Sequence, residues 1–174
     1  MPYALRHPVD ENGQTRSFVY DSLSRLISAT NPESGTTSYT YDSDGDVLTK
    51  TDARNITTTY AYDALNRLTQ KSYSDGTPLQ YYQYDSSNVW GTPLSNTIGR
   101  LVLEGNSSDG KLFSYDSMGR IIYRGECEFA VDCNSQTSQD GFAMQYDLLG
   151  GVSQVTYPSG LVVTYTPDGA GRAS

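Results

Sequence analysis

Six copies of the dipeptide Tyr-Asp, at Tyr20-Asp21, Tyr41-Asp42, Tyr62-Asp63, Tyr84-Asp85, Tyr115-Asp116 and Tyr146-Asp147, hold the residue types with the most evident chemical capacity. A seventh position, Pro167-Asp168, keeps the acid without the ring. An exposed strip of tyrosines flanked by carboxylates is one way proteins hold sugars, with rings against C–H groups and acids on hydroxyls. The competing expectation is structural. Tyrosines that pack a sheet face and aspartates that close turns both follow from ordinary strand and turn physics. The structural role is the expected one, and carbohydrate binding is the alternative.

Other residues with chemical potential lead less far. Asp42-Ser43-Asp44-Gly45-Asp46 alternates carboxylates like the opening of a calcium loop. Such a loop needs Gly sixth and Glu twelfth, where this chain has Val47 and Ala53, so a plain turn is expected. Cys127 and Cys133 stand six apart in a ten-residue insertion. In an oxidising compartment they are expected to form a disulfide that pins the loop, with two free thiols as the alternative. His7 is the single histidine, too few for zinc with two cysteines or for a Cys–His nucleophile. Arg25, Arg67, Arg100, Arg120 and Arg172 form either a row for an anionic polymer or local partners of turn aspartates; local pairing is expected. Trp90 lies in the insertion Ser86 to Ile98 and is expected to be buried as a cap, the alternative being an exposed contact residue. Asn55-Ile56-Thr57 and Asn106-Ser107-Ser108 fit the glycosylation acceptor triplet, a pattern short enough to arise by chance. No acid–base or nucleophile constellation is visible, so neither an enzyme nor a cofactor is expected.

Composition bounds the rest. The 174 residues carry a net charge of −8, and 15 of them are tyrosine. Ile, Leu, Val and Phe make up about a fifth of the chain, at the edge of what builds a core; the tyrosines fill the deficit, which argues for a folded chain over a disordered one. An acidic chain with no basic cluster is not expected to bind nucleic acid. No apolar run approaches the ~18 residues of a membrane span, and Met1-Pro2-Tyr3-Ala4-Leu5-Arg6-His7 lacks the apolar centre of a signal peptide.

The elements that must position these residues come from a repeat. Successive Tyr-Asp spacings are 21, 21, 22, 31, 31 and 21 residues, so the two long intervals are one period plus a ten-residue insertion. Two residues before each Tyr-Asp stands Phe18, Tyr39, Tyr60, Tyr82, Phe113, Met144 or Tyr165. Three residues after the Asp comes Ser24, Gly45, Asn66, Gly119, Gly150 or Gly171, commonly followed by Arg and an apolar residue. In the fourth copy this part arrives late, as Gly99-Arg100-Leu101. Aromatic-x-Tyr has period 2 and places both rings on one strand face. Asp-x-x-Gly is tight-turn chemistry, with Asp capping its own backbone and Gly or Asn taking the left-handed conformation. Arg-Leu opens the return strand. Second turns are expected at Asn31 to Gly35, Asp52 to Asn55, Ser74 to Gly76 and Pro158 to Gly160. One hairpin cannot bury its face alone, but stacked hairpins can.

Aromatic-x-Tyr-Asp-x-x-Gly-Arg-Leu at this period resembles the RHS-repeat or YD-repeat family. Tyr39-Thr40-Tyr41-Asp42 and Tyr60-Ala61-Tyr62-Asp63-Ala64-Leu65-Asn66-Arg67-Leu68 carry the match most closely, and it extends from about Asn12 to Arg172. The resemblance implies an all-β solenoid of hairpins in a curved, spiralling antiparallel sheet, here a partial shell. It implies a single array of about seven repeats over 1–174, with insertions near 86–98 and 124–140 and a C-terminus cut within a repeat. Bacterial members are hollow shells around a C-terminal toxin, which makes further repeats and an enclosed toxin the implied partners and the cell surface or exterior the implied location. The chain lacks the Asp-Pro-x-Gly core that ends a bacterial shell, and a fragment of a longer shell is the expectation.

Overall fold

Strands form wherever aromatic-x-Tyr or its Leu/Val/Ile-opened return segment occurs, because β-branched and aromatic side chains suit a pleated, half-buried surface. The computed structural model of the protein describes residues 3–6, 15–128 and 140–166. Two compact units divide the chain, Met1–Leu79 and Gln80–Ser174. In the N-terminal unit, β1 (Tyr3–Arg6), β2 (Ser17–Tyr20), β3 (Leu26–Asn31), β4 (Gly35–Tyr41), β5 (Val47–Thr51), β6 (Thr57–Tyr62) and β7 (Leu68–Tyr73) pair antiparallel in chain order. The C-terminal unit contains β8 (Gln80–Tyr84), β9 (Asn88–Val89), β10 (Thr92–Pro93), β11 (Leu101–Gly105), β12 (Asp109–Tyr115), β13 (Ile121–Glu128), β14 (Asp140–Tyr146), β15 (Val152–Thr156) and β16 (Val162–Thr164). There β8 pairs with β11 and the order then follows the chain to β16, while β9 and β10 form a separate small hairpin. The fold is all-β, a meander of antiparallel hairpins, as the repeat implies.

Each Tyr-Asp marks a turn of one design. Asp21 N–H donates to the Arg25 carbonyl at 2.9 Å and Ser24 N–H to the Asp21 carbonyl at 3.0 Å. The fourth residue is left-handed: φ is 61° at Ser24, 95° at Gly45, 58° at Asn66, 87° at Gly119 and 89° at Gly150. This is a three-residue hairpin loop closed by a left-handed residue, and the register slips by one residue just before every Tyr, for example between Thr40 and Tyr41. The turn Asp52 to Asn55 repeats the design on the opposite edge, with Asn55 at φ 63°.

Register also assigns the two faces. In the N-terminal unit, Phe18, Tyr39, Tyr41, Tyr60 and Tyr62 are all half-buried. The other face pairs Ser38 with Ser28 and Thr51, and Thr49 with Thr40 and Thr59. Its hydroxyls meet across strands at 2.9 Å for Thr30–Thr36 and 2.6 Å for Thr40–Thr49.

In the C-terminal unit the equivalent face is apolar and covered. Leu103 sits opposite Leu112, and Val89 and Leu94 from the insertion complete a core with Val102; Tyr81, Trp90 and Tyr123 pack against it. Val102 and Leu112 are fully buried. Trp90 is half-buried against that core, between the buried cap and the exposed contact residue that the sequence offered. Gly125 and Gly141 pair across β13 and β14 beneath the Tyr123 ring, and a Cβ at Gly141 would collide with that ring.

Candidate functional site

In each unit the most elaborated chemistry lies along the edge where its own Tyr-Asp turns line up, and it begins inside each turn. Asp21 Oδ1 accepts from Leu23 N and Arg25 N at 2.9 Å each, while Oδ2 accepts from Arg25 Nε at 2.8 Å. Asp63 does the same with Leu65, Arg67 and the Arg67 guanidinium, and Asp116 with Met118, Arg120 and the Arg120 guanidinium. Both oxygens of these carboxylates are therefore committed to their own loop.

The arginine then reaches into the next repeat. Arg25 Nη1 donates to the Asp42 carbonyl at 2.9 Å, and its guanidinium lies 4.8 Å from the centre of the Tyr41 ring. Arg120 stands 4.6 Å from the Tyr146 ring, and Arg100 5.5 Å from that of Tyr115. The tyrosine returns a bond of its own. Tyr41 Oη donates to the Leu26 carbonyl at 2.6 Å, Tyr62 to Val47 at 3.0 Å, Tyr115 to Leu101 at 2.6 Å and Tyr146 to Ile121 at 2.8 Å. Asp, Arg and the following Tyr thus form a clasp that fastens one hairpin to the next. Each part is modest alone, but cation–π contacts are worth about 0.5–1 kcal/mol at exposed sites, and the full set stands at Asp21–Arg25–Tyr41 and again at Asp116–Arg120–Tyr146.

Electrostatics follow from this wiring. The Arg25 N–H and, more weakly, its guanidinium hold the Asp21 carboxyl below the ordinary carboxylate range. The Arg67 side chain and N–H do so for Asp63. For Asp116 burial pushes upward, yet the bonds from Arg120 and Met118 outweigh it and the net shift is down. Burial raises the phenols of Tyr41, Tyr62 and Tyr115.

Three members depart from the pattern, one of them because Gly151 stands in the arginine's place after Asp147. Asp46 stands where an arginine would, and its buried Oδ2 has no hydrogen-bond partner; Tyr62 nonetheless keeps its bond to Val47. Asp85 N–H bonds the Arg100 carbonyl at 3.2 Å and its Oδ1 accepts from Gly99 N at 2.6 Å, so the two sides of the turn still meet across the insertion, with Asp85 itself left-handed at φ 66°. Arg100 donates to the Asn96 carbonyl.

The remaining sequence-stated positions fall as follows. Tyr20 and Tyr84 are half-buried, and Asp147 Oδ1 accepts from Leu149 N and Gly151 N. Asp42 Oδ1 is occupied by the N–H groups of Asp44, Gly45 and Asp46, as in a plain turn. Cys127 is buried and disulfide-bonded; Cys133, Asp168 and Arg172 lie outside the described residues. On the opposite edge, Lys50, Asp52, Arg54, Thr58, Tyr73 and Asp75 line an open hollow of about 380 Å³, in which Arg54 is held by Asp52 at 2.8 Å. The contact between arginine and the next tyrosine was missed in the sequence, although a signal existed: Arg25, Arg67 and Arg120 each stand four residues after a turn Asp, and each is followed by the next Tyr-Asp, at Tyr41, Tyr84 and Tyr146.

Comparison with known proteins finds the RHS Repeat family model over residues 20–55 and 41–78. No curated protein matches significantly in sequence. Among solved structures, TcdB2-TccC3 superposes with a TM-score of 0.69 at 13% identity over 97% of this chain. The same complex without its hypervariable C-terminal region gives 0.66 at 13% over the whole chain. The Tc holotoxin pore of Photorhabdus luminescens gives 0.54 at 15% over 99%. This chain spans 11% of the length of each of those chains. At such identities the likeness is one of fold.

Proposed function

Because residues 20–78 match the RHS Repeat family model, we propose that this chain is a wall segment of an RHS shell that encloses and delivers a toxin in its parent protein. The observation that carries the reading is the clasp. Asp21 and Asp116 hold Arg25 and Arg120 within their own turns, and Arg25, Arg120, Tyr41 and Tyr146 then bond the neighbouring hairpin, which is the chemistry of a surface that extends itself by adding repeats. The partners are further repeats and the enclosed toxin, the complex acts outside the producing cell, and the segment itself performs no reaction. Fold similarity to Tc toxin proteins supports the same reading. A sugar-binding surface is supported less, since Tyr20 through Tyr165 are all half-buried or buried and four of their hydroxyls already serve backbone carbonyls.

The test is to express the full reading frame that contains residues 1–174 and subject it to limited proteolysis. The expected result is a frame with more Tyr-Asp repeats and a C-terminal segment that resists protease inside the intact protein and is cut when produced alone. A frame without such a segment, or a segment cut equally fast in both forms, overturns the reading.

A further inference from the structure

The N-terminal unit carries, on the edge away from its Tyr-Asp turns, a polar hollow of about 380 Å³ that the clasps do not use. Its floor is a row of cross-strand neighbours: Lys50 on β5 stands opposite Thr58 on β6, and Thr58 opposite Tyr73 on β7. Two turns make its rim. Asp52 to Asn55 contributes Arg54, and the turn after β7 contributes Asp75. That second turn is pinned to β6, since Ser74 N–H donates to the Thr57 carbonyl at 3.0 Å and Thr57 N–H to Ser74 Oγ at 2.8 Å. Ile56 and the Tyr73 ring add apolar surface.

The charges in the hollow are only partly matched. Asp52 is fully engaged: Oδ1 accepts from Arg54 N at 2.9 Å and Ile56 N at 3.0 Å, and Oδ2 from Arg54 Nε at 3.0 Å and Nη2 at 2.8 Å. This fork fixes the guanidinium and leaves Nη1 outside it. Lys50 is exposed and has no hydrogen-bond or ion-pair partner among the described residues. Asp75 Oδ1 accepts the Thr77 N–H at 3.0 Å, yet no ion pair joins Asp75 to Lys50 or Arg54. The Thr77 N–H and, more weakly, the nearby Arg54 charge hold the Asp75 carboxyl below the ordinary carboxylate range. The hollow therefore has a cationic side and an anionic side that do not meet. With two cations and two carboxylates it is formally neutral.

We propose that this hollow binds a free α-amino acid with an apolar side chain. The ligand carboxylate accepts from Lys50 Nζ and Arg54 Nη1, its ammonium donates to Asp75, and its side chain lies over Ile56 and Tyr73. Charge selects this class. A plain anion meets Asp75 and a plain cation meets Lys50 and Arg54, whereas a zwitterion satisfies both sides and leaves the net charge unchanged. Size agrees, because the hollow stands at the small end of ligand pockets. It is also open to water, which weakens each ion pair and makes the affinity modest. The site uses none of the clasp residues and does not depend on the wall-segment reading.

Titration of the isotope-labelled chain with L-leucine, followed by amide chemical shifts, tests this. The amides of Arg54, Thr58 and Thr77 are expected to shift together and to saturate with a Kd of about 1–10 mM. Isocaproate, which lacks the ammonium, and isoamylamine, which lacks the carboxylate, are each expected to bind at least about threefold more weakly. The same loss is expected for L-leucine on Lys50→Gln and on Asp75→Asn. Both variants are expected to keep the wild-type circular dichroism spectrum, since Lys50 is exposed and asparagine retains the oxygen that accepts from Thr77; the two analogues keep the test on wild-type protein should either variant unfold. Shifts that fail to saturate by tens of millimolar, analogues that bind as well as leucine, or folded variants that bind it unchanged overturn the proposal. Failure of the toxin-container reading shows instead in the proteolysis of the full frame, where leucine plays no part.

Discussion

At equivalent register positions, the face away from the repeat tyrosines carries Ser38, Thr40 and Thr59 in the N-terminal unit and Tyr81, Leu103, Leu112 and Tyr123 in the C-terminal unit. The first face leaves its hydroxyls exposed and paired with one another. The second is roofed by Val89, Leu94 and Trp90, all from the insertion within one repeat. Among the described residues, every buried hydrophobic side chain belongs to the C-terminal unit. The repeat therefore specifies hairpins, turns and clasps but not a core. A core appears where ten extra residues supply a lid and the sheet beneath has turned apolar to receive it. Without a lid, hydroxyl ladders keep the same face compatible with water at little packing gain.

Four measurements break or sharpen that contrast. The largest effect is expected from Leu112→Ala, which removes a fully buried side chain and lowers stability by about 2–5 kcal/mol. Thr59→Ala on the matching face of the other unit changes it by less than about 0.5 kcal/mol. Urea unfolding followed by circular dichroism reads both, and equal losses would erase the distinction.

Acid comes next. Asp21, Asp52, Asp63 and Asp75 in the N-terminal unit have lowered carboxyl pKa values, against Asp116 among the described residues of the C-terminal unit. A lowered folded-state pKa means the ionised form favours the fold. That stabilisation is complete above the ordinary carboxylate pKa of about 4 and is lost as pH falls through the depressed values. Between pH 5.5 and 3, amide protection factors in the N-terminal unit, corrected for the intrinsic exchange rate, are expected to fall more than the stability of the C-terminal unit read by Trp90, the single tryptophan. The opposite order would show that the clasps contribute little.

Tyr62→Phe deletes the hydroxyl that bonds the Val47 carbonyl at 3.0 Å and is expected to cost about 1 kcal/mol. A urea midpoint unchanged from wild type would show that the bond between repeats adds nothing. The smallest effect is a gain. Asp46→Arg removes a carboxylate with an unsatisfied buried oxygen and places a guanidinium toward Tyr62, as Arg25 lies over Tyr41 at 4.8 Å. A stabilisation of about 0.5–1 kcal/mol is expected in the same titration, and a loss would mean that the second repeat has no room for the clasp.

Much of this was legible in the residues. Tyr-Asp at a 21-residue period, with Gly or Asn three residues after the acid, determines the hairpins, the faces of the rings and the left-handed closing residue, because each depends on contacts within a few positions of the chain. The late Gly99-Arg100-Leu101 rejoined Asp85 as the spacing required. Three matters needed the tertiary structure: that Arg25 serves Tyr41 as well as Asp21, that Val89 and Leu94 roof Leu103 and Leu112, and that Lys50, Arg54 and Asp75 share one hollow. Each joins residues about 10 to 30 positions apart in the chain, and which of them meet depends on strand register and on the path of the insertion. Local propensity carries no record of either.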